Sequence, residues 1–291
     1  MFTEAAPAKV NLALHVVGRR PDRYHELESL VVFADVADEL EAVEASEDRL
    51  VVTGPFAGGL GAGESNLVSR AVAAFRTRWP ELVRPCLAIT LKKYLPVAAG
   101  LGGGSADAAA ALRLMAGLSS SAIPAPELLA LAATLGADVP MCLVSQPSLV
   151  AGIGERLSPL PDFPQCYVVL VNPLLPVSTA DVFRRLEAHD NPPLPPLPDP
   201  LTRPAQLGIW LEGTRNDLEP AAIALVPAIG ELIVRMGDLP GCMLARMSGS
   251  GATVFGLFGS GALAHQAAHD LRSAHPGYWV AAAPVLGVGA A

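Results

Sequence analysis

The segment 96–110 constrains this chain more than any other part of it. It reads Pro-Val-Ala-Ala-Gly-Leu-Gly-Gly-Gly-Ser-Ala-Asp-Ala-Ala-Ala, and it follows a predicted strand and opens an alanine-rich predicted helix. Its four glycines, Gly100, Gly102, Gly103 and Gly104, have no Cβ that would hold a ligand away from the main chain. The N–H groups and the positive dipole end of a helix N-terminus attract anions. The segment therefore predicts a phosphate-binding loop.

Two better-known glycine loops do not match this segment. A Walker loop ends in Gly-Lys-Ser/Thr, whereas Gly104 is followed by Ser105 and Ala106. A dinucleotide fingerprint has a third glycine where Ser105 stands and an acidic residue about 20 positions later at a strand end, but the next candidate, Glu127, lies in a predicted helix. An ordinary turn capped by Ser105 is the structural alternative, although such a cap needs one glycine rather than four.

Composition excludes several classes of protein. The 291 residues are 51% hydrophobic, which excludes a wholly disordered chain and allows two domains with sizeable cores. The formal net charge of −8 argues against a partner that is nucleic acid or an anionic membrane. There is no apolar run long enough for a membrane span and no signal-peptide pattern, so we expect a cytoplasmic protein.

Cysteines and histidines give no metal-site pattern. The cysteines at 86, 142, 166 and 242 are too far apart for a metal knuckle or a disulfide framework, and we expect reduced, mostly buried thiols. His265 and His269 have the i, i+4 spacing of a zinc-hydrolase helix, but the glutamate of that motif is missing, which favours an exposed helix face.

Strands and helices alternate along the chain. The pattern predicts strands 10–17, 27–36, 87–92, 167–171 and 252–258, and helices 64–78, 105–115, 125–135, 180–188 and 218–236, with Ser65 as the cap of the first helix and Pro227 interrupting the last. Residues 18–23 are predicted as a turn. The mixture indicates an α+β or α/β protein with a boundary near 150–165. The proline-rich segment 191–204 could be an SH3-type ligand, but a solvated polyproline excursion is the favoured interpretation.

Three further segments turn the predicted anion site into a candidate active site. Lys9 and Asn11 share one face of a strand, although a strand lysine more often faces water. Asp138 stands between Gly136 and Pro140, where it could also be a helix N-cap. The segment 247–255 is a second small-residue loop, although hairpin turns have the same composition. Phosphoryl transfer requires this combination of positioning, positive charge and a carboxylate that holds a hydroxyl acceptor.

The chain resembles the GHMP small-molecule kinases, a family named for galactokinase, homoserine kinase, mevalonate kinase and phosphomevalonate kinase. The family signature, a proline followed by a Gly-Leu-Gly stretch and a serine, is matched by the segment 96–105. Within the family, the motifs at 7–12, 18–27, 64–67, 95–105 and 136–140 are similar to those of kinases that act on cytidine diphosphate methylerythritol in the non-mevalonate isoprenoid pathway. The similarity runs from 7 to about 258 and is looser in the second half, where 216–219 and 248–251 are the main anchors.

The resemblance implies the fold and the reaction. We expect an α+β protein with the two-domain GHMP kinase fold, in which residues 1–160 form an N-terminal ATP-binding domain similar to domain 2 of ribosomal protein S5. Residues 161–291, with the excursion 191–204, would form the C-terminal GHMP α/β domain, and the active site would lie in the cleft between the two. ATP would phosphorylate the 2-hydroxyl of the small-molecule acceptor, with Mg²⁺ accompanying ATP, and the protein would be a monomer or weak homodimer.

The resemblance also implies roles for particular residues. Asp138 matches the catalytic aspartate and Lys9 the lysine beside it. A tertiary alcohol is a very weak acid, so a carboxylate that accepts its proton is chemically reasonable, and a lysine would keep that carboxylate ionised. The positions implied for the acceptor are Asn11, Tyr24, His25 and Phe183, the last stacking on the base. The positions implied for ATP are Asn66, Lys93, Pro96, Val97, Ala98, Ala99, Gly100, Leu101, Gly102, Gly103, Gly104, Ser105 and Ala106.

One departure and two alternatives stand beside this interpretation. Many family members have a second serine where this chain has Ala106, and the sequence assigns no acidic residue to magnesium. A GHMP kinase for mevalonate or homoserine would share the glycine loop and Asp138 but not the pair Tyr24 and His25. A nucleotide-binding sensor with the same fold would be expected to lose the base, whereas Asp138 is present.

Overall fold

The computed structural model describes residues 1–21, 24–83 and 85–287. The strands are β1 (Phe2–Arg19), β2 (His25–Ala45), β3 (Arg49–Thr53), β4 (Cys86–Lys92), β5 (Ser148–Gly152), β6 (Arg156–Pro159), β7 (Tyr167–Asn172), β8 (Cys242–Met247), β9 (Val254–Phe258) and β10 (Trp279–Pro284). The helices are α1 (Leu67–Arg78), α2 (Gly103–Gly117), α3 (Ala125–Leu135), α4 (Val139–Val144), α5 (Thr179–Arg184), α6 (Pro204–Glu212), α7 (Glu219–Leu225), α8 (Ala228–Gly237) and α9 (Gly261–Ala274).

The chain forms two compact units, and the polypeptide passes between them several times. Unit 1 consists of Met1–Ala8, Ala37–Val97 and Gly102–Ser145. Unit 2 consists of Lys9–Val36, Ala98–Leu101 and the chain from Gln146 onward. The long strands β1 and β2 therefore contribute residues to both units, and so does the glycine loop that precedes α2.

Unit 1 packs four helices beside a small mixed sheet. The second part of β2 pairs antiparallel with β4, from Glu39 opposite Lys92 to Ala45 opposite Cys86, and β3 pairs parallel with β4. Helices α1, α3 and α4 all pack against α2. The run of alanines in α2, Ala108 to Ala111, is completely buried, because a side chain of one methyl group lets neighbouring helices approach closely.

Unit 2 is built on an antiparallel sheet of four strands in the order β10-β7-β9-β8, with α8 and α9 packed against it. The buried strand β9, from Val254 to Phe258, lies at its centre with β7. The first part of β2 pairs with β5, and β5 pairs with β6. Residues of β1 join the core of this unit, because Leu14 and Val16 pack in the same hydrophobic cluster as Val169 and Phe258.

Most predicted elements are confirmed, and the differences lie at their ends. Helix α1 begins at Leu67 with Asn66 as its cap, so the prediction of Ser65 was wrong. Helix α2 begins two residues earlier than predicted and α5 ends at Arg184, four residues earlier than predicted. The break at Pro227 is confirmed, since α7 and α8 flank it. Residues 22 and 23 of the predicted turn 18–23 lie outside the described residues.

The proline-rich segment 191–204 has no fully buried residue, and several of its backbone groups are hydrogen-bonded to the rest of unit 2. The carbonyl of Pro192 accepts a hydrogen bond from Arg215, and the N–H of Leu194 donates to the carboxylate of Glu28. The indole N–H of Trp210 donates to the carbonyl of Pro196 at 3.0 Å. Backbone groups that a free polyproline helix would offer to water are therefore used inside the fold.

The remaining expectations from composition can be compared with the described part of the chain. Cys142 and Cys166 are buried, Cys86 and Cys242 are half-buried, and all four are free thiols. Burial raises the pKa of Cys166 to about 12, so this thiol stays protonated. His265 and His269 are exposed on α9, as predicted. Each helix of the described residues is too short or too polar to cross a lipid bilayer.

Candidate active site

The predicted phosphate loop is a left-handed turn that leads from β4 into α2. Ala98, Gly100 and Gly102 have φ values of 52°, 74° and 64°, in the region that favours glycine. Gly102 is the N-cap residue of α2, and no side chain caps this helix end. Ser105, the cap of the structural alternative, lies inside the helix. The N–H groups of the first turn are therefore those available to an anion.

Gly100 is the glycine of the loop that close packing requires, whereas Gly103 and Gly104 leave room for a Cβ. A Cβ at Gly100 would collide with the carbonyl oxygen of Ser248. A Cβ at Gly103 would lie 3.5 Å from Lys93 Nζ, and one at Gly104 would lie 3.6 Å from the side chain of Leu67.

In unit 2, β1 and two glycine loops are hydrogen-bonded to one another. The N–H of Lys9 donates to the carbonyl of Leu101 at 2.9 Å, and the N–H of Asn11 donates to Ser248 Oγ at 3.1 Å. Ser248 Oγ then donates to the carbonyl of Gly100 at 2.9 Å. The structure therefore brings together Lys9, Asn11 and residues 99–101 of the predicted site.

Lys9 and Asn11 are both buried, which is unusual for polar residues on a strand. The Nδ2 group of Asn11 donates to Ser29 Oγ at 2.7 Å. Its Oδ1 atom is buried and has no hydrogen-bond partner in the protein. Because an unpaired buried acceptor is unfavourable, Asn11 Oδ1 is a natural place for a donor group of a ligand.

The second glycine loop is both a hairpin turn and a neighbour of the phosphate loop. It joins β8 to β9, and the N–H of Thr253 donates to the carbonyl of Ala99 at 3.2 Å. Asn216 Nδ2 donates to the carbonyls of Met247 and Gly249, both at 2.8 Å. Asn216 therefore fixes the shape of this loop. The sequence had indicated it only as part of the motif 216–219 that resembles the family.

In unit 1, Lys93 is held between two buried carboxylates. Its Nζ group donates to Asp38 and, at 2.6 Å, to Asp107 on α2. Asp38 also accepts hydrogen bonds from the N–H groups of Tyr94 at 2.6 Å and Leu95 at 2.8 Å. This triad of Asp38, Lys93 and Asp107 links the end of β4 to the first turns of α2, on either side of the phosphate loop.

The triad has one positive and two negative groups away from water. Burial raises the pKa of Asp107 to about 7, and the charge of Asp38 acts in the same direction while Lys93 opposes it. For Lys93, burial lowers the pKa, but the two carboxylates outweigh it and raise the pKa overall. Asp107 Oδ1 is buried without a hydrogen-bond partner.

Asn66, the other predicted residue on the nucleotide side, also has an internal role. Its Oδ1 accepts from the N–H of Val68, and its Nδ2 donates to the carbonyl of Gly61, both at 2.9 Å. The first residue of α1, Leu67, lies beside Gly104 at the start of α2. The N-termini of α1 and α2 are therefore neighbours in unit 1.

Asp138 occupies the N-cap position of α4 without acting as a cap, since its side chain makes no capping hydrogen bond. The carboxylate is half-buried, and α4 packs against α2. The structural alternative of a simple helix cap is therefore wrong.

Two of the predicted acceptor-binding residues contact each other in unit 2. The imidazole of His25 is stacked on the ring of Phe183, with centroids 5.0 Å apart and planes inclined by 24°. Tyr24 is 62% exposed. His25 therefore covers one face of the Phe183 ring. A base can stack on Phe183 at the other face of that ring, or at the same face if it takes the place of the imidazole.

Several residues that shape these sites were not predicted from the sequence. They are Ser29, Asp38, Asp107 and Arg246. Asp107 had a local signal, because it is the one charged residue among the buried alanines that open α2. Arg246 had none: its guanidinium is buried and donates to the carbonyls of Leu12, Leu211 and Thr214, which are distant in sequence.

Comparison with known proteins defines the class of the protein. The model of the GHMP kinase N-terminal domain matches residues 66–146, and that of the GHMP kinase C-terminal domain matches residues 201–277. A crystal structure of homoserine kinase from Cytophaga hutchinsonii has the same fold, with a TM-score of 0.71 over 98% of this chain and 96% of the other at 21% identity. The chain belongs to the GHMP kinase family and is a small-molecule kinase.

More similar relatives narrow the comparison to one group within the family. The 4-diphosphocytidyl-2-C-methyl-D-erythritol kinase of Chelativorans sp. (strain BNC1) is 47% identical over 95% of this chain and 94% of its own. The enzyme of the same name from Parvibaculum lavamentivorans is 49% identical over 96% of each chain. A crystal structure of a 4-(cytidine 5'-diphospho)-2C-methyl-D-erythritol kinase is 36% identical, with a TM-score of 0.80 over 98% of this chain and 100% of the other.

Proposed function

We propose that this kinase transfers the γ-phosphoryl group of ATP to the 2-hydroxyl of 4-diphosphocytidyl-2-C-methyl-D-erythritol. The products would be the 2-phosphate and ADP, in the biosynthesis of isoprenoid precursors by the non-mevalonate pathway. The observation that carries the proposal is the identity of 47% to 49% with kinases of that name over almost the whole of both chains. Because these matches cover almost the whole chain, they include the proposed acceptor-binding segments as well as the ATP-binding motifs.

Asp138 is the proposed base, and Lys9 is its proposed partner. As the hydroxyl oxygen of the acceptor forms its bond to the γ-phosphorus, Asp138 would accept the hydroxyl proton, and the bond between that phosphorus and the bridging oxygen of ADP would break. The ammonium group of Lys9 would favour the ionised form of Asp138 and stabilise the developing negative charge. The match of Asp138 to the catalytic aspartate of the family, in a chain that is 47% and 49% identical to two relatives, supports this assignment.

The phosphates of ATP would lie on the segment 96–106. The uncapped N-terminus of α2 and the left-handed residues before it support this assignment, because they direct backbone N–H groups to an anion without a loop lysine. Asn66 and Lys93 remain proposed nucleotide-side residues, and their hydrogen bonds within unit 1 support an indirect contribution through the shape of the loop.

The cytidine and methylerythritol parts of the acceptor would contact Asn11, Tyr24, His25 and Phe183. The unpaired acceptor Asn11 Oδ1 suits a hydroxyl group, and the stacked pair of His25 and Phe183 suits a flat base. Cytosine has a large apolar face and few polar atoms, so stacking and one or two hydrogen bonds would distinguish it from a smaller acceptor.

Magnesium is proposed to accompany ATP and to neutralise charge on its phosphates. The described residues contain no group of three or more His, Cys, Asp or Glu side chains that would hold a metal ion alone. Mg²⁺ is commonly held by the phosphate oxygens of a nucleotide and by water, and we propose the same arrangement here.

We also propose that the two GHMP kinase domains, as segments of sequence rather than as independent folding units, divide at 160 and 161, and that the protein is cytoplasmic and a monomer or weak homodimer. The free cysteines of the described chain are consistent with a reducing compartment.

The test is an ATP-consumption assay with a panel of acceptors. We expect turnover with 4-diphosphocytidyl-2-C-methyl-D-erythritol and none with mevalonate, homoserine or free methylerythritol. Because a site built around a base leaves polar groups unpaired when a small acceptor binds, discrimination of about 10⁴ is expected. Efficient phosphorylation of any of the small acceptors would refute the proposal and favour another GHMP kinase activity.

A further inference from the structure

Three consecutive carbonyl groups of the phosphate loop, those of residues 99–101, are held by hydrogen bonds within unit 2. The first and the last of them accept from the backbone N–H groups of Thr253 and Lys9. Between them, the carbonyl of Gly100 accepts from Ser248 Oγ at 2.9 Å. Removing the hydroxyl of Ser248 would therefore delete the middle bond and leave the donors of the other two in place.

The bond from Ser248 also sets the direction of an N–H group. The peptide bond between Gly100 and Leu101 is trans, and the N–H of a trans peptide group points away from its C=O. Fixing the carbonyl of Gly100 therefore fixes the N–H of Leu101 on the opposite side of the loop. In the proposed function, the N–H groups of this segment face the phosphates of ATP.

The same hydroxyl holds β1. Ser248 Oγ is buried and accepts a hydrogen bond from the N–H of Asn11 at 3.1 Å. Asn11 carries the unpaired oxygen Oδ1 that is proposed to bind the acceptor. A Cβ at Gly249, the residue after Ser248, would lie 3.1 Å from the carbonyl oxygen of Gly100 and 3.5 Å from Asn11 Oδ1. One hydroxyl thus joins a proposed acceptor-binding residue to the segment that is proposed to hold ATP.

The backbone at Ser248 is fixed by contacts that do not involve the phosphate loop. The N–H of Ser248 donates to the carbonyl of Thr253 at 2.9 Å, and the N–H of Met247 donates to the carboxylate of Glu219 at 2.8 Å. Asn216 holds the carbonyl groups of the residues before and after Ser248. The hydroxyl therefore makes its two bonds from a backbone that has little freedom to move.

We propose that Ser248 is a positioning residue, whose hydroxyl fixes the phosphate loop relative to Asn11 and thereby aligns the γ-phosphoryl group of ATP with the hydroxyl of the acceptor. The inference rests on the proposed function. Each ligand can bind through its own contacts without Ser248, but phosphoryl transfer needs the two reacting atoms at a fixed separation. Because a displacement of about 1 Å can lower a rate by about 10², the loss of Ser248 should appear in kcat rather than in binding.

The kinetic test compares Ser248→Ala with Ser148→Ala. Both serines are buried in unit 2, but the hydroxyl of Ser148 donates to the carbonyl of Gln146, away from both loops. For Ser248→Ala we expect kcat with the cytidine acceptor to fall by about tenfold to a hundredfold. The Kd for ATP and the Kd for the acceptor, each measured alone by calorimetry, should stay within about threefold of the wild type, and so should the kcat of Ser148→Ala.

A second readout needs neither ligand. Amide hydrogen exchange followed by ¹⁵N NMR reports on the N–H groups of Lys9 and Thr253, whose bonds to the phosphate loop are not removed by the substitution itself. If Ser248 holds the loop in place, both groups should exchange at least about tenfold faster in Ser248→Ala than in the wild type. In Ser148→Ala both should exchange at the wild-type rate.

Ser248→Cys keeps the shape of the side chain, but its thiol is a weaker donor and acceptor than the hydroxyl. Its kcat should lie between those of the wild type and Ser248→Ala, and this variant decides the question if the alanine variant does not fold. A kcat of the folded variant equal to that of the wild type would overturn the inference. So would a loss of ligand affinity as large as the loss of kcat, or unchanged exchange at Lys9 and Thr253. If the wild type failed to use the cytidine acceptor, the proposed function would fail instead, and the exchange rates would still show whether Ser248 holds the loop.

Discussion

Asp138 stands at the N-cap position of α4 with an α-helical backbone conformation, and its side chain makes no capping hydrogen bond. An aspartate in that place usually stabilises the helix by about 0.5 to 2 kcal/mol through its cap. The side chain of Asp138 does not make this contribution to α4. At the scale of single residues, Asp138 and the triad member Asp107 give the most direct predictions.

The first prediction is that Asp138→Asn lowers turnover and leaves the fold intact. The amide keeps the size of the side chain but cannot accept the proton of the acceptor hydroxyl. We expect kcat to fall by about 10² to 10⁴, which corresponds to roughly 3 to 5 kcal/mol of transition-state stabilisation. Single-turnover kinetics measures this loss, with Asp162→Asn, in an exposed loop, as the control. Near-normal turnover with an unchanged Tm would show that Asp138 is not the base.

The second prediction concerns the pH dependence that Asp107 gives to stability. Burial raises its pKa in the folded chain from an ordinary value of 3.8 to about 7. Between pH 3.8 and about pH 7, the carboxyl group of Asp107 is protonated in the folded chain and ionised in the unfolded chain. The contribution of Asp107 is therefore most favourable below about pH 4 and is lost as the pH rises through about 7, by roughly 1.4 kcal/mol per pH unit in between.

Asp107→Asn removes this titration and is the variant that tests it. The free energy of unfolding of the wild type, measured relative to the variant by denaturant titration, should fall as the pH rises from 5 to 7 and become constant above pH 8. Both proteins keep Asp38 and Lys93, so the other titrating groups largely cancel in the difference. A difference that stays constant from pH 5 to pH 8 would contradict a raised pKa at Asp107.

At the scale of elements, the sequence predicted the strand, loop and helix of the phosphate site because their signals are local. The alternation in β4, the glycines and the alanines of α2 lie within about 30 consecutive residues. Asp38 as a partner of Lys93, and the partner of His25, could not be predicted in the same way. Asp38 is 55 positions from Lys93 and His189 is 164 positions from His25, and only the tertiary fold sets such contacts.

The third prediction separates two substitutions at Gly103, the first residue of α2. A Cβ there would lie 3.5 Å from Lys93 Nζ and 3.6 Å from Asp38 Oδ2, which are ordinary contact distances. Gly103→Ala should therefore fold normally and bind ATP within about threefold of the wild type. The additional methyl groups of Gly103→Val would enter the triad and displace the loop, and we expect the Kd for ATP to rise by at least about tenfold.

Calorimetry with both ligands tests the prediction for Gly103→Val. The affinity for the cytidine acceptor should barely change, because its proposed contacts do not involve the triad. An equal loss for ATP and acceptor would indicate a folding defect rather than a displaced phosphate loop, and an unchanged Kd for ATP would show that the triad does not control the loop.

At the scale of the whole molecule, the two compact units do not correspond to an N-terminal part and a C-terminal part of the chain. Unit 2 contains residues 9–36 and 98–101 in addition to the chain from Gln146 onward. The GHMP kinase models match 66–146 and 201–277, so neither includes β1 or β2. The division at 160 and 161 was predicted from the order of the motifs along the chain. That order does not show with which unit an N-terminal strand packs.

The last prediction is that a fragment of residues 161–291 does not fold by itself. In unit 2 its backbone is joined to β1 through the N–H of Leu14, which donates to the carbonyl of Arg215, and the N–H of Asp217, which donates to the carbonyl of Leu14, both at 2.9 Å. The buried guanidinium of Arg246 donates to the carbonyl of Leu12 at 2.7 Å. Without residues 9–36 these groups and the core neighbours of Leu14 would face water, a loss comparable with the roughly 5 to 15 kcal/mol by which domains are stable. We expect the fragment to show no cooperative transition in thermal unfolding followed by circular dichroism, and co-expression with residues 1–160 to restore one. A cooperative transition of the isolated fragment near the Tm of the full chain would instead establish 160 and 161 as a folding boundary.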